Sequence, residues 1–187
     1  MNRNIIYHAL VLRVRQQGEA NRDAVFLTAE DGIIHATVFG GPKSKLRSYI
    51  SPGHSGVLYV YHENTKDYNK ASDFDVQKWR PGIRENYKRS MAEAAILETI
   101  IETHGGGGSW LEAMQIAEES LDALDTIEEN NCKLCFSRFL YKWCNLLGLL
   151  PEDAALILKN ASAAKAHSYL TGILEESLGK RPRAWDL

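Results

Sequence analysis

Residues 10–15 read LVLRVR, and this alternation of apolar and other side chains decides the fold class of the first part of the chain. A period of two residues is typical of a β-strand that has different environments on its two faces. Leu10, Leu12 and Val14 would form an apolar face, opposite a partly basic face of Val11, Arg13 and Arg15. The pattern predicts a half-buried strand.

Four more short strands are predicted downstream, separated by turn residues. They comprise residues 24–28, 33–39 and 57–61 and a last strand around Phe74 and Val76. Gly18, the EDG of residues 30–32 and the GGP of residues 40–42 fall between them, where turns are expected. Five strands at this spacing favour a barrel of the oligonucleotide-binding (OB) type over residues 1–80, although a five-stranded SH3-like barrel would give a similar pattern.

After Pro81 and Gly82 the apolar period changes to that of helices. Helices are predicted over about residues 85–104, 132–147 and 163–178, and Ser109 with Glu112 has the spacing of a helix-starting capping box. We therefore expect an α+β protein of two domains, a barrel over residues 1–80 and an all-α domain over residues 81–187.

The composition is that of an ordinary globular protein of 187 residues, 44% hydrophobic and 25% charged. No apolar run approaches the roughly 18 residues that cross a bilayer, and the first residues lack the apolar stretch of a signal peptide. Three cysteines, an odd number, do not suggest a disulfide framework. We expect a cytoplasmic protein without a membrane partner.

Charge is unevenly distributed along the chain, although the net charge is only −2. Residues 1–90 hold 14 Lys and Arg against 9 Asp and Glu, and the remainder holds 8 against 15. A basic first half suggests a polyanionic partner, and an acidic second half a solvated or protein-binding surface. Chance variation of surface charge would give the same totals.

Residues 40–47, GGPKSKLR, form the most informative segment. A glycine-rich loop carrying Lys43, Lys45 and Arg47 can offer cations to phosphates, although a solvated flexible loop is the simpler interpretation of the segment alone. Further cations strengthen the case for polyanion binding: Arg13, Arg15, Arg22, Arg80, Arg84, Lys88 and Arg89. Base stacking is open to Phe39, Tyr59 and Tyr61, but we expect at least one of the two tyrosines to pack in the core.

Neither a metal site nor a catalytic site is indicated. Cys132 and Cys135 have the spacing of half a zinc site, but the second half is missing, because Cys144 is the one remaining thiol. Cys132 and Cys135 also lie on the apolar stripe of a predicted helix, where cysteine acts as a small apolar residue. The glycines of residues 105–108 lack the Lys-Ser/Thr of a phosphate loop. We expect no cofactor, no metal and no enzymatic activity.

The order of these segments resembles the RecO family of bacterial DNA recombination mediators. The similarity includes LVLRVR at residues 10–15, GEANRD at 18–23, FLT at 26–28 with the following EDG, and GGPKSKLR at 40–47. FLYKWCNLLGLLP at residues 139–151 is similar to the family's central helix and its Gly-x-x-Pro exit. The resemblance extends over roughly residues 5–151.

The sequence also departs from that family. Many members carry a four-cysteine zinc site just after the Gly-x-x-Pro exit, where residues 152–158 contain no cysteine. Asn21 replaces an acidic residue of the turn, and the chain ends earlier than is usual in the family. The resemblance therefore describes a short variant without the zinc-site cysteines.

The resemblance implies a protein that binds single- and double-stranded DNA without sequence specificity and anneals complementary strands. It would assist RecA loading, with RecR, on DNA covered by single-stranded-DNA-binding protein, in the bacterial cytoplasm at the nucleoid. The DNA contacts would be Lys43, Lys45, Arg47, Arg13, Arg15 and Arg22 on the barrel, extended by Arg84, Lys88 and Arg89. A helical interaction scaffold whose barrel no longer binds DNA is the alternative.

Overall fold

A computed structural model describes residues 3–40, 44–63 and 68–185 of the chain. The described part divides into two compact units, Met1–Arg80 and Pro81–Leu187. The first is a β-barrel and the second is helical, as the sequence predicts for the fold class. None of the helices in the described part of the chain is long and apolar enough to span a bilayer.

The first unit is a closed five-stranded barrel with the strand order β1-β2-β3-β5-β4. Its strands are β1 (Arg3–Gln17), β2 (Asn21–Thr28), β3 (Gly32–Val38), β4 (Ser55–Glu63) and β5 (Tyr68–Lys78). β5 lies between β3 and β4 and runs parallel to β3, while the other neighbours are antiparallel. A short helix α1 (Lys45–Tyr49) connects β3 to β4. This order is that of an OB fold.

The barrel core is filled by inward side chains of all five strands, including Val11, Phe26, Leu58 and Phe74. The register of β1 against β2 shifts between Val11 and Arg13, so that one extra residue is inserted there. A one-residue insertion moves the following side chains to the opposite face. Val11 therefore joins the core before the bulge, and Val14 packs against the core after it.

Because of the bulge, the two faces predicted from the sequence for residues 10–15 are partly wrong. Val11 lies in the core cluster and not beside Arg13 on a partly basic face. Leu10 and Leu12 are buried as well, but they do not belong to that cluster. Arg13 and Arg15 share the outer face, because both lie beyond the bulge and alternate with Val14.

The second unit contains helices α2 to α7. They are α2 (Pro81–Arg84), α3 (Tyr87–Glu102), α4 (Trp110–Thr126), α5 (Cys132–Leu146), α6 (Ala154–Asn160) and α7 (Ala163–Leu178), with short 3-10 turns at Glu129–Asn131 and Arg183–Trp185. Phe136, Phe139 and Trp143 of α5 are fully buried. The ring of Phe139 stacks on that of Phe136 and on that of Trp143. Ser109 precedes α4, but its side chain makes no capping hydrogen bond, so the predicted capping box is wrong.

Candidate nucleic-acid interface

An open groove of about 910 Å³ lies on the outer surface of the barrel. Each strand or its immediate flank contributes to it, and the β1–β2 turn and the facing ends of β4 and β5 border it. The lining side chains are aromatic, amide, hydroxyl or charged: Asn4, Gln17, Asn21, Thr37, Phe39, Tyr61, Glu63, Tyr68, Lys70 and Ser72. The turns joining β1 to β2 and β4 to β5 flank the ligand site of OB folds, so the groove occupies the position where such folds bind oligonucleotides.

The aromatic part of the groove is built around Phe39, which follows β3 and is 40% exposed. The ring of Tyr68 meets it edge to face, with centroids 6.1 Å apart and planes at 77°. Lys70 Nζ lies 5.2 Å from the centre of the Phe39 ring, a cation–π contact. Tyr61 lies directly across from Lys70 in the β4–β5 register. Exposed aromatic faces beside a cation suit unpaired bases and their phosphates.

Both tyrosines of β4 point away from the barrel core. Leu58 and Val60 fill the core, so Tyr59 and Tyr61, which alternate with them, lie on the outer face. Tyr61 lines the groove, and Tyr59 is 38% exposed. The expectation that at least one of them packs in the core is therefore wrong.

The arginines and lysines expected to contact DNA fall into three groups in the barrel. Lys43 lies outside the described residues. Arg15 and Lys45 are exposed and Arg13 is half-buried, and none of these three side chains forms an ion pair within the described part of the chain. Arg15 lies two positions from the groove residue Gln17 on the same outer face of β1. Their charges are therefore available to a polyanion.

Arg22 and Arg47 form the third group and serve the barrel itself. Arg22 Nη1 donates to the carbonyl oxygen of Arg47 over 3.0 Å, and Arg47 Nη2 donates to Gln16 Oε1 over 3.1 Å. Gln16 Nε2 in turn donates to the carbonyls of Gly18 and Glu19. Burial, and next the charge of Arg47, lowers the pKa of Arg22. The two arginines tie α1 to the β1–β2 turn.

The basic residues at the start of the helical unit are also engaged within that unit. Arg84 Nη2 lies 3.7 Å from Oε2 of the buried Glu93 carboxylate, and Lys88 Nζ lies 3.0 Å from Glu129 Oε1. The Arg89 guanidinium is bonded to three backbone carbonyls of its own unit. Arg80, at the end of the barrel unit, is 4% exposed and donates to the carbonyl of Gly53. A role of Arg84, Lys88 or Arg89 in DNA binding stays a prediction. Each of the three side chains already has a partner within the helical unit.

The three cysteines lie on the buried side of α5. Burial raises the pKa of the Cys132 and Cys135 thiols, and it raises the pKa of the Cys144 thiol to about 12. Within residues 3–40, 44–63 and 68–185, the structure contains no cluster of three or more potential ligands arranged for a metal ion. The cysteines serve as small apolar core residues.

Several groove residues were not identified from the sequence. Lys70 and Tyr68 lie in β5, which sequence patterning placed only around Phe74 and Val76. The amides of Asn4, Gln17 and Asn21 belong to strand ends. The available signal was the alternation of Ala71 with Lys70, which marks residue 70 as an outward position next to a core residue.

The fold and the groove define the class of the protein: an OB-fold protein with a groove of aromatic, amide, hydroxyl and charged side chains at the ligand position of such folds. A family model described as Recombination protein O N terminal matches residues 1–77, a range that contains strands β1 to β4 and all but the last residue of β5. The first unit is therefore similar to the N-terminal domain of recombination protein O.

Proposed function

We propose that this protein binds DNA without sequence specificity and acts as a recombination mediator. The observation that carries the proposal is the groove, where Phe39 and Tyr61 present aromatic surface beside Lys70 between the two turns that border an OB ligand site. Stacking on aromatic rings tolerates any base, because every base has a π face. Unpaired strands would therefore bind in this groove whatever their sequence.

Electrostatic attraction would supply the second part of the affinity, and it would extend to duplex DNA. Arg15 and Arg13 follow one another on the outer face of β1, leading away from Gln17 in the groove. Lys45 adds an exposed cation on α1. Cations that neutralise phosphates release counterions, and this term requires neither a catalytic residue nor ATP. A protein that holds two strands by these contacts would promote their annealing.

The match of residues 1–77 to the N-terminal domain of recombination protein O supports the wider proposal. In it, the protein assists RecA loading together with RecR on DNA covered by single-stranded-DNA-binding protein. It would do so without catalysis, in the bacterial cytoplasm at the nucleoid. The barrel would hold DNA, while the acidic helical unit would offer surfaces to these protein partners.

Fluorescence anisotropy of a labelled single-stranded oligonucleotide over a salt series tests DNA binding. We expect binding that weakens steeply with salt, and a loss of about tenfold in affinity for Phe39→Ala, since one stacked base contributes about 1–3 kcal/mol. Tyr59→Ala is the matched control, because Tyr59 is exposed on the same barrel without lining the groove. Equal losses in both variants would contradict a site in the groove.

One set of observations favours a second candidate, a protein-interaction scaffold that does not bind DNA. Five of the nine predicted contacts are engaged within the protein: Arg22, Arg47, Arg84, Lys88 and Arg89. Absence of DNA binding even at low salt, together with retention of RecR and single-stranded-DNA-binding protein in a pull-down, would favour the scaffold.

A further inference from the structure

Lys70 and Phe39 make the contact in the groove that a bound base would have to displace. Lys70 Nζ lies above the Phe39 ring, 5.2 Å from its centre. Thr37, two residues before Phe39, is the β3 partner of Lys70, so the contact bridges two adjacent strands. Lys70 is exposed and forms no ion pair with another described residue.

The ring face under Lys70 cannot hold the ammonium and a base at the same time. A stacked base lies at van der Waals distance from the whole ring, in the space that Nζ and the end of its stem occupy. The second ring at this site, that of Tyr68, meets Phe39 at 77° and is therefore not stacked on it. Because Phe39 is 40% exposed, a base can reach it from the groove.

We infer that Lys70 covers the stacking face of Phe39 in the free protein, and that an unpaired base replaces it there while the Lys70 ammonium moves to a phosphate of the same strand. This inference rests on the proposed DNA binding and deepens it. The exchange is favourable, because stacking of a base is stronger than an exposed cation–π contact and the ammonium gains an anionic partner.

The exchange selects for unpaired nucleotides. A base inside a duplex has both faces covered by its neighbours, so it offers no free face to Phe39. A duplex could bind the cations outside the groove, but it would leave Lys70 on the ring. The ligand class of this position is therefore a single strand or an unpaired end that carries both an accessible base and a phosphodiester.

Two ligands separate the base from the phosphate in the test: a phosphodiester oligothymidine, and a peptide nucleic acid of the same bases with an uncharged backbone. For the phosphodiester, we expect Lys70→Ala to weaken binding and to reduce the slope of log K against log salt by about 0.7, the value for one phosphate contact on a single strand. For the uncharged ligand, we expect Lys70→Ala to bind at least as tightly as wild type, because the ring face is free.

Lys70→Met provides the comparison that isolates the ring face. Methionine removes the charge but keeps a flexible apolar chain over the ring, so Lys70→Met would lose the same salt slope yet bind the uncharged ligand less tightly than Lys70→Ala. Lys159→Ala, which removes an exposed lysine from α6, controls for net charge and should change neither ligand's affinity. Thermal unfolding confirms that each variant is folded.

The outcomes separate this inference from the proposed function. If wild type binds and Phe39→Ala is weakened, but Lys70→Ala keeps the wild-type salt slope, the exchange is overturned and DNA binding in the groove stands. Equal weakening of both ligands by Lys70→Ala would also overturn it, because Lys70 would then contact the base. If wild type binds neither DNA nor the uncharged ligand, both the exchange and the proposed function fail.

Discussion

Arg89 and Asp125 are joined by a hydrogen bond of 2.8 Å from the guanidinium Nη1 to the backbone carbonyl oxygen. The same side chain donates from Nε to the carbonyl of Ile127 over 2.8 Å and from Nη1 to the carbonyl of Gly82 over 3.1 Å. It thereby satisfies carbonyls at the C-terminal end of α4 and links them to α2 and α3. Arg89 is a structural residue of the helical unit.

Replacement of Arg89 should therefore affect stability before it affects DNA binding. We expect Arg89→Met to lower the unfolding free energy of the helical unit by about 2 kcal/mol, since charged hydrogen bonds contribute about 1.5–3 kcal/mol each and this site is partly exposed. Urea denaturation followed by circular dichroism measures the loss. Unchanged stability with a flatter salt dependence of DNA binding would instead identify Arg89 as a phosphate contact.

Arg15 and Arg22 should give opposite results, although both were predicted to contact DNA. Arg15 is exposed, so Arg15→Gln should leave the melting temperature unchanged and reduce the salt slope of single-strand binding by about 0.7. Arg22 holds the carbonyl of Arg47, so Arg22→Gln should lower the stability of the barrel by about 1–3 kcal/mol. Anisotropy and thermal melts of both variants check the pair, and an identical response would contradict the distinction.

Gly56 marks a close approach of β4 to β5. A Cβ at residue 56 would lie 2.0 Å from the carbonyl oxygen of Asp75, so the two strands would have to move apart. We expect Gly56→Ala to destabilise the barrel by about 3 kcal/mol. Gly172→Ala is the control, because a Cβ there meets nothing within 4 Å and alanine stabilises a helix interior by about 1 kcal/mol. Thermal denaturation should give shifts of opposite sign.

His167 gives the helical unit a pH-dependent stability. It is buried, with Nδ1 2.9 Å from Ser137 Oγ, and burial, followed by the charges of Lys133 and Arg181, lowers its pKa. In the unfolded chain the ring binds a proton near its ordinary pKa of 6.5, before the folded protein does. Stability should therefore be full above pH 6.5 and decrease as the pH falls through the lowered pKa. Melting temperatures of wild type and His167→Gln between pH 7.5 and 5 test this; parallel curves would contradict it.

The sequence was sufficient for the elements whose apolar period is regular. The prediction for residues 163–178 agrees with α7 (Ala163–Leu178), and that for residues 132–147 agrees with α5 to within one residue. Five barrel strands were predicted as well, because turn residues separate them. These features depend on local pattern, which a single sequence contains.

Features that depend on contacts distant in sequence were missed. An inserted residue in β1 places Val11 and Val14 on the same side, toward the core, and nothing in LVLRVR reveals it because valine suits either face of a strand. The sequence also does not show whether the partner of a basic residue is a phosphate or a backbone carbonyl. The structural role of Arg22 could therefore not be distinguished from the exposed position of Arg15. The groove combines residues from separate strands, and only the strand order brings Lys70 beside Phe39.

The closure of the barrel has a mechanical consequence. Among the described residues, β3 and β5 are paired only at Thr37 with Lys70 and at Val38 with Ala71, which makes this junction the shortest seam of the barrel. Thr37 and Lys70 also line the groove. A DNA strand bound there would contact both β3 and β5 across the seam. The ligand would therefore reinforce the barrel where its own hydrogen bonding is sparsest.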